Sequence, residues 1–464
     1  MRGAWVAGLA AVAWTLGGRA WLHLRHPHDA HGFDGWYYVL QVRSLLAGEP
    51  LFADDSWAFA PMVVAGWALG DVVLGNAVVA IVAAGLTTLL AGIAAGRLGG
   101  PWAGAVGAWL AASSTGHLSL SAEFLKNGVG AVPLLALVAW LAGPPRPGLG
   151  RLAGGLLLVG LAAVTHKLCG VLALAVLVAW VVGGRLDGGG RRDALAVATV
   201  LGMGTLLVLA GTLRTVDLLR GVEAVPLDRW ARIRLSSLGV PGRLEVMALH
   251  VAPLAVPWVW RRGAGWGLVA AGLVVAGCGP GLPFDFESVA WRLMCMGFVG
   301  LVVLAGLLRP PRWVAMGACG VLALGALDTL TRQAARTPDY PAFRPLLETV
   351  REHVPPGGLL VAHRGMCGFL WAEGGRRCEN FEPSSEGPEV WRVAYGIDPV
   401  RIEPFGPVVA LRPGYVLVPE SVWRRFRSRQ APGSVVWGLR NPSEPRPAWV
   451  YGPQGAEGAD QITP

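Results

Sequence analysis

The amino-acid sequence predicts an α-helical polytopic membrane protein of about eleven transmembrane helices, followed by a small exported α/β domain. Three observations carry this expectation. Apolar runs close to a bilayer's thickness recur through the first 330 of the 464 residues. Charge is sparse there and ordinary afterwards: residues 1–330 hold 39 of the 69 charged side chains and residues 331–464 hold 30, about the density of a soluble domain. The arginines of the first part also gather on one side of an alternating topology.

The expected spans are, approximately, 3–22, 71–96, 101–116, 122–142, 151–166, 168–184, 194–213, 246–260, 264–280, 288–308 and 312–330. Two of them, 101–116 and 151–166, are short for a full crossing, so tilted, broken or half-spans are expected there. The stretch Ala58–Gly70 is too short to span and fits a helix at the membrane surface. With the N-terminus in the cytoplasm, the cytoplasmic segments carry eleven arginines and two acids, Asp187 and Asp193. The other side receives twelve bases and fourteen acids, and residues 331–464 fall on that outer side. The first helix has no small-x-small cleavage site before its polar flank, so it is read as retained. With 15% charged residues and 53% hydrophobic ones, the chain is not disordered and does not suit nucleic-acid binding.

Most unusual polar residues of the membrane part map to the outer face. The first outer loop runs from His23 through His26, His28, Asp29 and His31 to Asp34, Trp36, Tyr37, Tyr38 and Arg43. Gly35–Leu46 can form a helix, with Asp34 as its N-cap and the three aromatics as headgroup-level anchors. A reactive carboxylate at Asp34 is compatible with the same position. The second outer loop carries His117, Glu123, Lys126 and Asn127. Spacings of three and four put the last three on one helix face, as a surface ion pair or as a polar site opening an apolar span. The third motif is Thr165-His166-Lys167, where Lys167 either snorkels to water or contributes to a site. In the fourth, Arg292 lies about one turn inside a span and needs a partner, either Asp285 or Glu287, or a bound phosphate. The chain has only two lysines, Lys126 and Lys167, and both fall on this face. The 214–245 connection, with Arg232 and Arg234 beside Trp230, reads as an amphipathic helix on the membrane. The histidine spacings fit no compact zinc motif. Asp34 and Glu123 would suit a hard divalent cation, Mg²⁺ or Mn²⁺.

An outer-face Asp after the first helix, a following Tyr-Tyr, a second acidic outer loop, many spans and an exported C-terminal domain resemble the GT-C glycosyltransferases. These are integral membrane enzymes that use polyprenyl-phosphate-linked sugars. They include protein O-mannosyltransferases, oligosaccharyltransferase catalytic subunits and lipid A aminoarabinose transferases. The resemblance rests on Asp34 to Tyr38, Glu123 to Asn127, Thr165 to Lys167 and Arg292. Two departures leave the branch open: there is no Trp-Trp-Asp triplet in the C-terminal part, and Gly35 stands where O-mannosyltransferases have Glu. The resemblance implies transfer from a polyprenyl-phosphate sugar donor to a lipid, glycan or protein acceptor of the cell envelope, with inversion. It implies Asp34 as the catalytic base or a metal holder, and Lys126, His166, Lys167 and Arg292 as donor-phosphate ligands. His31, Tyr37, Tyr38, Arg43, His117 and Asn127 would support them. A transporter of lipid-linked or small polar substrates, or a non-catalytic assembly subunit, are the competing readings; no internal repeat favours the first of these.

In the C-terminal part, Phe343–His353 has helical spacing, Gly358–His363 and Tyr415–Pro419 read as short strands, and Val422–Arg429 as a basic helix. Cys367 and Cys378 lie close enough in sequence for a disulfide to form outside the membrane, and the spacing leaves that open. The tail from Pro453 is expected to be loose.

Overall fold

The computed structural model describes residues 2–32, 34–49, 59–143, 149–186, 239–261, 263–278, 287–336, 343–362, 364–380, 389–395, 399–411 and 415–429. The expected span 194–213, the residues Asp54, Asp55 and Asp285, most of the 214–245 connection and the tail lie outside these residues. The chain divides into two compact units. The first comprises residues 1–25, 55–65 and 77–336; the second comprises 26–54, 66–76 and 337–464.

The helices in chain order begin with α1 (Arg2–Leu24), α2 (Gly35–Ala47), α3 (Phe59–Leu69), α4 (Val72–Gly99) and α5 (Pro101–Ser113). They continue with α6 (Thr115–Ala122), α7 (Leu125–Leu141), α8 (Leu149–Thr165) and α9 (Lys167–Leu186). After the gap come α10 (Gly239–Val251), a 3₁₀ turn Ala252–Ala255, α11 (Val256–Trp260) and α12 (Ala264–Gly277). The first unit ends with α13 (Glu287–Met296), α14 (Phe298–Leu308) and α15 (Arg312–Arg336). Among the described residues, four segments are long and apolar enough to cross a membrane: Val72–Gly99, Lys167–Gly184, Trp291–Leu308 and Arg312–Ala335. The protein is thus a helical membrane protein.

Three expected spans are interrupted. The segment 101–116 stops at Ser113, and α6 starts afresh at Thr115. Ser114 makes the break: its backbone is extended, and its hydroxyl accepts from His117 N–H at 3.0 Å as the N-cap of α6. The 246–260 span is split by the 3₁₀ turn, and 288–308 is two helices meeting at Gly297. Hydropathy did not separate the pieces of 246–260 and 288–308, because apolar residues run through both breaks, whereas 101–116 is one of the two segments expected to be short or broken.

Small residues let the helices of the first unit approach closely. A Cβ added at Gly92 of α4 would sit 3.2 Å from Ala108 Cβ of α5, so the two backbones pack nearly in contact. Helix α5 buries ten of its residues, packing against α1, α14 and α15 and, through Gly104 and Ala108, against α4. The largest apolar cluster lies among α7, α8, α9, α12 and α14, around Leu134, Leu177, Val274 and Val303.

In the second unit, α16 (Arg344–His353), β1 (Leu359–Ala362), α17 (Arg364–Gly374), β2 (Cys378–Asn380), β3 (Val390–Tyr395), β4 (Val409–Leu411), β5 (Tyr415–Pro419) and α18 (Glu420–Ser428) follow one another. The strands form one sheet in the order β2-β1-β3-β5-β4. β1 runs parallel to β2 and β3, whereas β5 is antiparallel to β3 and β4. Alternation along β5 sends Leu417 into the cluster with α2, α16 and α17, and Val416 and Val418 into the cluster with α18. Both faces of the sheet are therefore covered. Cys367 of α17 and Cys378 of β2 form a disulfide, with Cα atoms 5.2 Å apart. Beneath α18, Arg392 donates to both carboxylate oxygens of Glu420, at 2.7 and 3.0 Å. The pair is buried, and Trp423 covers the guanidinium at 5.3 Å.

Two expectations follow. Glu420→Gln leaves a buried guanidinium without its counter-charge and costs about 3–5 kcal/mol, whereas Arg392→Met with Glu420→Met recovers most of that loss. Denaturant unfolding monitored through the second unit measures both, and an equally damaging double substitution would contradict the assignment. The second concerns Glu245, the last residue of the 214–245 connection, which accepts from Ser114 Oγ at 2.6 Å and Thr115 N–H at 2.9 Å. Burial pushes its carboxyl from the ordinary 4.5 up to about 7, against the opposing pull of those hydrogen bonds. The folded state therefore holds a proton that the unfolded chain releases, and stability falls as pH rises from about 4.5 through about 7. Thermal unfolding of wild type and Glu245→Gln between pH 5 and 8 should show a decline in the wild type that the variant lacks. Parallel profiles would refute it.

Candidate functional site

In the first unit, the residues expected to carry chemistry gather at helix breaks. Helix α6 ends at Ala122, and Glu123 and Phe124 are non-helical before α7 begins. Lys126 and Asn127 thus occupy the first turn of α7. The Glu123 carboxylate accepts from Gln333 Nε2 of α15 at 3.1 Å. Lys126 Nζ lies 5.6 Å from the Phe59 ring centre, a cation–π distance. The Arg292 guanidinium lies 5.2 Å from the ring of Phe124, the residue between Glu123 and Leu125. The Nε of Arg292 is buried and has no hydrogen-bond partner among the described residues, and the same holds for Nδ2 of Asn127, which is 2% exposed.

The break between α8 and α9 adjoins the same turn. His166 is buried there, and its Nδ1 accepts from Leu168 N–H at 3.3 Å, which puts the proton of the neutral ring on Nε2. A Cβ at Gly130 of α7 would meet Cys169 Sγ at 2.7 Å and His166 Cβ at 3.3 Å, so α7 and this break pack in direct contact. Lys167, the next residue, is exposed. The structure thus brings Glu123, Asn127, His166 and Arg292 together through shared neighbours, with Lys126 on the same turn.

His117 plays a different part. It is 1% exposed, stacks on Phe298 at 5.2 Å, and its Nδ1–H donates to the Ala111 carbonyl at 2.9 Å. Burial, aided by the nearby Arg19 charge, lowers its pKa to about 3, so the ring is neutral and satisfies a carbonyl freed where α5 ends. Two residues were missed from sequence. One is Glu245, described above. The other is Arg19 of α1, 3% exposed, whose Nε donates to Ser121 Oγ at 2.7 Å, two residues before Glu123. Its signal was present: Arg19 and His23 share a face at i,i+4 inside an apolar helix.

The remaining candidates belong to the second unit. Asp34 stands at the N-cap position of α2, and its backbone carbonyl accepts from Tyr38 N–H at 3.1 Å. Its carboxylate makes no capping hydrogen bond, contrary to the sequence expectation. With φ −88° and ψ 4°, the residue is not in the extended conformation that aims a cap side chain at the helix amides. The aromatics also depart from the anchoring expectation. Trp36 and Tyr37 are fully buried and Tyr38 is 5% exposed, because α2 packs inside the second unit rather than presenting them to headgroups. Tyr37 accepts a hydrogen bond from Gln41 at 3.2 Å. Arg43, exposed, donates to the Ala372 carbonyl at 2.9 Å. His31 is partly buried three residues before Asp34, and Asp29 pairs with Arg344 at 2.9 Å. Among the described residues, no three His, Cys, Asp or Glu side chains come together as a metal set.

No protein-family model matches the sequence, and no curated protein matches it. Solved structures do match. ArnT from Cupriavidus metallidurans, bound to undecaprenyl phosphate, superposes with a TM-score of 0.54 at 12% identity, over 89% of this chain and 97% of its own. An oligosaccharyltransferase of Archaeoglobus fulgidus in complex with Zn and sulfate matches with 0.51 at 13% identity, over 79% of this chain. AglB from the same organism, with an inhibitory peptide and a dolichol-phosphate, matches with 0.51 at 12%, over 80%. The chain spans 62% and 64% of these two longer proteins. At such identities the likeness is one of fold: the chain shares the fold of ArnT and AglB.

Proposed function

We propose that this protein is a membrane glycosyltransferase that moves a sugar from a polyprenyl-phosphate-linked donor to a cell-envelope acceptor at the outer face of the membrane. The observation that carries the reading is the grouping of Arg292, Asn127, His166 and Lys126 at neighbouring helix breaks, on a fold shared with proteins whose structures hold undecaprenyl phosphate and dolichol-phosphate. Unsatisfied donors on Arg292 and Asn127 favour an anionic oxygen ligand.

In this reading Lys126, His166, Lys167 and Arg292 bind the donor phosphate. They stabilise the charge that develops on its oxygen as the bond to the anomeric carbon breaks. Asp34 takes the proton of the acceptor hydroxyl while that oxygen forms the new bond to the anomeric carbon from the opposite face, with inversion. The lipid phosphate leaves with the bonding pair. His31, Tyr37, Tyr38 and Arg43 support Asp34 by packing, and Asn127 supports the phosphate. Mg²⁺ or Mn²⁺ at Asp34 and Glu123 is the variant of the reading that chelation tests. The proposal also includes eleven spans, a cytoplasmic N-terminus, a membrane domain over residues 1–330 and an outer α/β domain over 331–464.

Purified protein supplied with polyprenyl-phosphate sugars and envelope acceptors should turn over, and Asp34→Asn should lower kcat by about 10²–10⁴-fold with donor KM little changed. Turnover unaffected by that substitution would sink the assignment of Asp34. EDTA without effect would remove the metal variant.

A further inference from the structure

Helix α17 crosses α2 at the backbone. A Cβ added at Gly368 would lie 2.8 Å from Tyr37 N, 3.0 Å from Trp36 C and 3.2 Å from Trp36 Cβ. Only glycine leaves room for this crossing, and it falls on the first turn of α2, within three residues of Asp34. A second contact holds the far end of the pair, where Arg43 donates to the Ala372 carbonyl at 2.9 Å and approaches Glu373 at 3.9 Å. Trp36 packs on Phe369 at 5.9 Å between the two. Helix α17 itself is tied down at the residue preceding the crossing, where Cys367 is bonded to Cys378 of β2. The anchor, the crossing point and the helix start therefore follow one another directly: Cys367, Gly368, then Trp36 and Tyr37.

We propose that Gly368 and the Cys367–Cys378 disulfide act as a positioning device for Asp34, with the bonded helix α17 fixing the start of α2 and hence the reach of the carboxylate. The proposal rests on the reading of Asp34 as the proton acceptor. Its physical basis is that α2 is short and ends in a left-handed Gly48, so its placement comes from packing. The disulfide keeps α17 from rocking away from β2. With a methyl at residue 368, α2 must move outward, because the atoms in the way are backbone and cannot rotate aside. Displacement of a catalytic group by about 1 Å can cost about 10²-fold in rate.

The test uses the full chain in detergent or nanodiscs, as wild type, Gly368→Ala, Cys367→Ser with Cys378→Ser, and Asp34→Asn. Hydrogen exchange of residues 35–47 is followed beside kcat and donor KM. Expected for Gly368→Ala and for the cysteine pair are faster exchange in the first turn of α2 and a kcat lowered by about 10- to 100-fold, with donor KM unchanged. Reduction of the wild type with a phosphine should reproduce both effects, and reoxidation should reverse them. Loss of donor affinity together with kcat would mark general damage and overturn the positioning role. So would unchanged exchange, or full turnover of Gly368→Ala beside an inactive Asp34→Asn. Full turnover of Asp34→Asn would remove the reading of Asp34 and this proposal together, and the exchange data would show separately whether α17 holds α2.

Discussion

In a buried apolar setting a backbone amide or carbonyl released by a helix break must find a partner within the protein. That constraint organises the first unit. Where α5 gives way to α6, side chains of the break itself and of other helices meet freed backbone groups. The Ala111 carbonyl takes the His117 ring, and the Ser113 carbonyl takes Thr329 at 3.2 Å. The amides of Thr115 and His117 give to Glu245 and Ser114. A break is therefore where polar side chains become affordable in an otherwise apolar bundle. The same logic draws His166 to the α8–α9 junction, and Glu123 and Asn127 to the start of α7.

The second unit answers a different problem. Its sheet is small, with strands of three to six residues, and such a sheet needs both faces covered to stand. Helix α18 closes one face over Val416 and Val418. The other is closed by α16, α17 and α2, so Trp36 and Val39 of the first loop are core residues of the same unit. The loop that carries Asp34 is thereby held by an apolar core, and its aromatics contribute burial instead of membrane anchoring.

How much of this was legible depended on whether the cause was local. Apolar runs marked α1, α4, α7, α8, α9, α12 and α15 closely, since hydropathy over about twenty residues is a property of the segment. Tyr415–Pro419 and the helix over 344–353 were also readable from short-range periodicity. The break at Gly297 was invisible because no polar run accompanies it, whereas the polar stretch Ser113 to His117 marks the end of α5. Strands β2 and β4, three residues each, carry too little pattern, and the helical signal of α17 is weakened by Gly365 and Gly368, of which Gly368 sits at the close crossing of α2. For the site, Lys126, Asn127, His166 and Arg292 stood out as polar residues in apolar surroundings. The tertiary partners did not: Gln333 for Glu123, Phe124 for Arg292 and Ser121 for Arg19 come from other segments of the chain, and spacing carries no record of them.

The central claim is that the helix breaks around Arg292 and the start of α7 hold a lipid-linked phosphate. The most direct measurement is the affinity of the purified protein for undecaprenyl phosphate, by native mass spectrometry, for wild type and for Arg292→Gln combined with Lys126→Gln. Two lost charge-assisted contacts predict binding weaker by at least about tenfold, while Arg377→Gln, an exposed residue of the second unit, leaves it unchanged. Equal affinity in the double variant and the wild type would contradict the account.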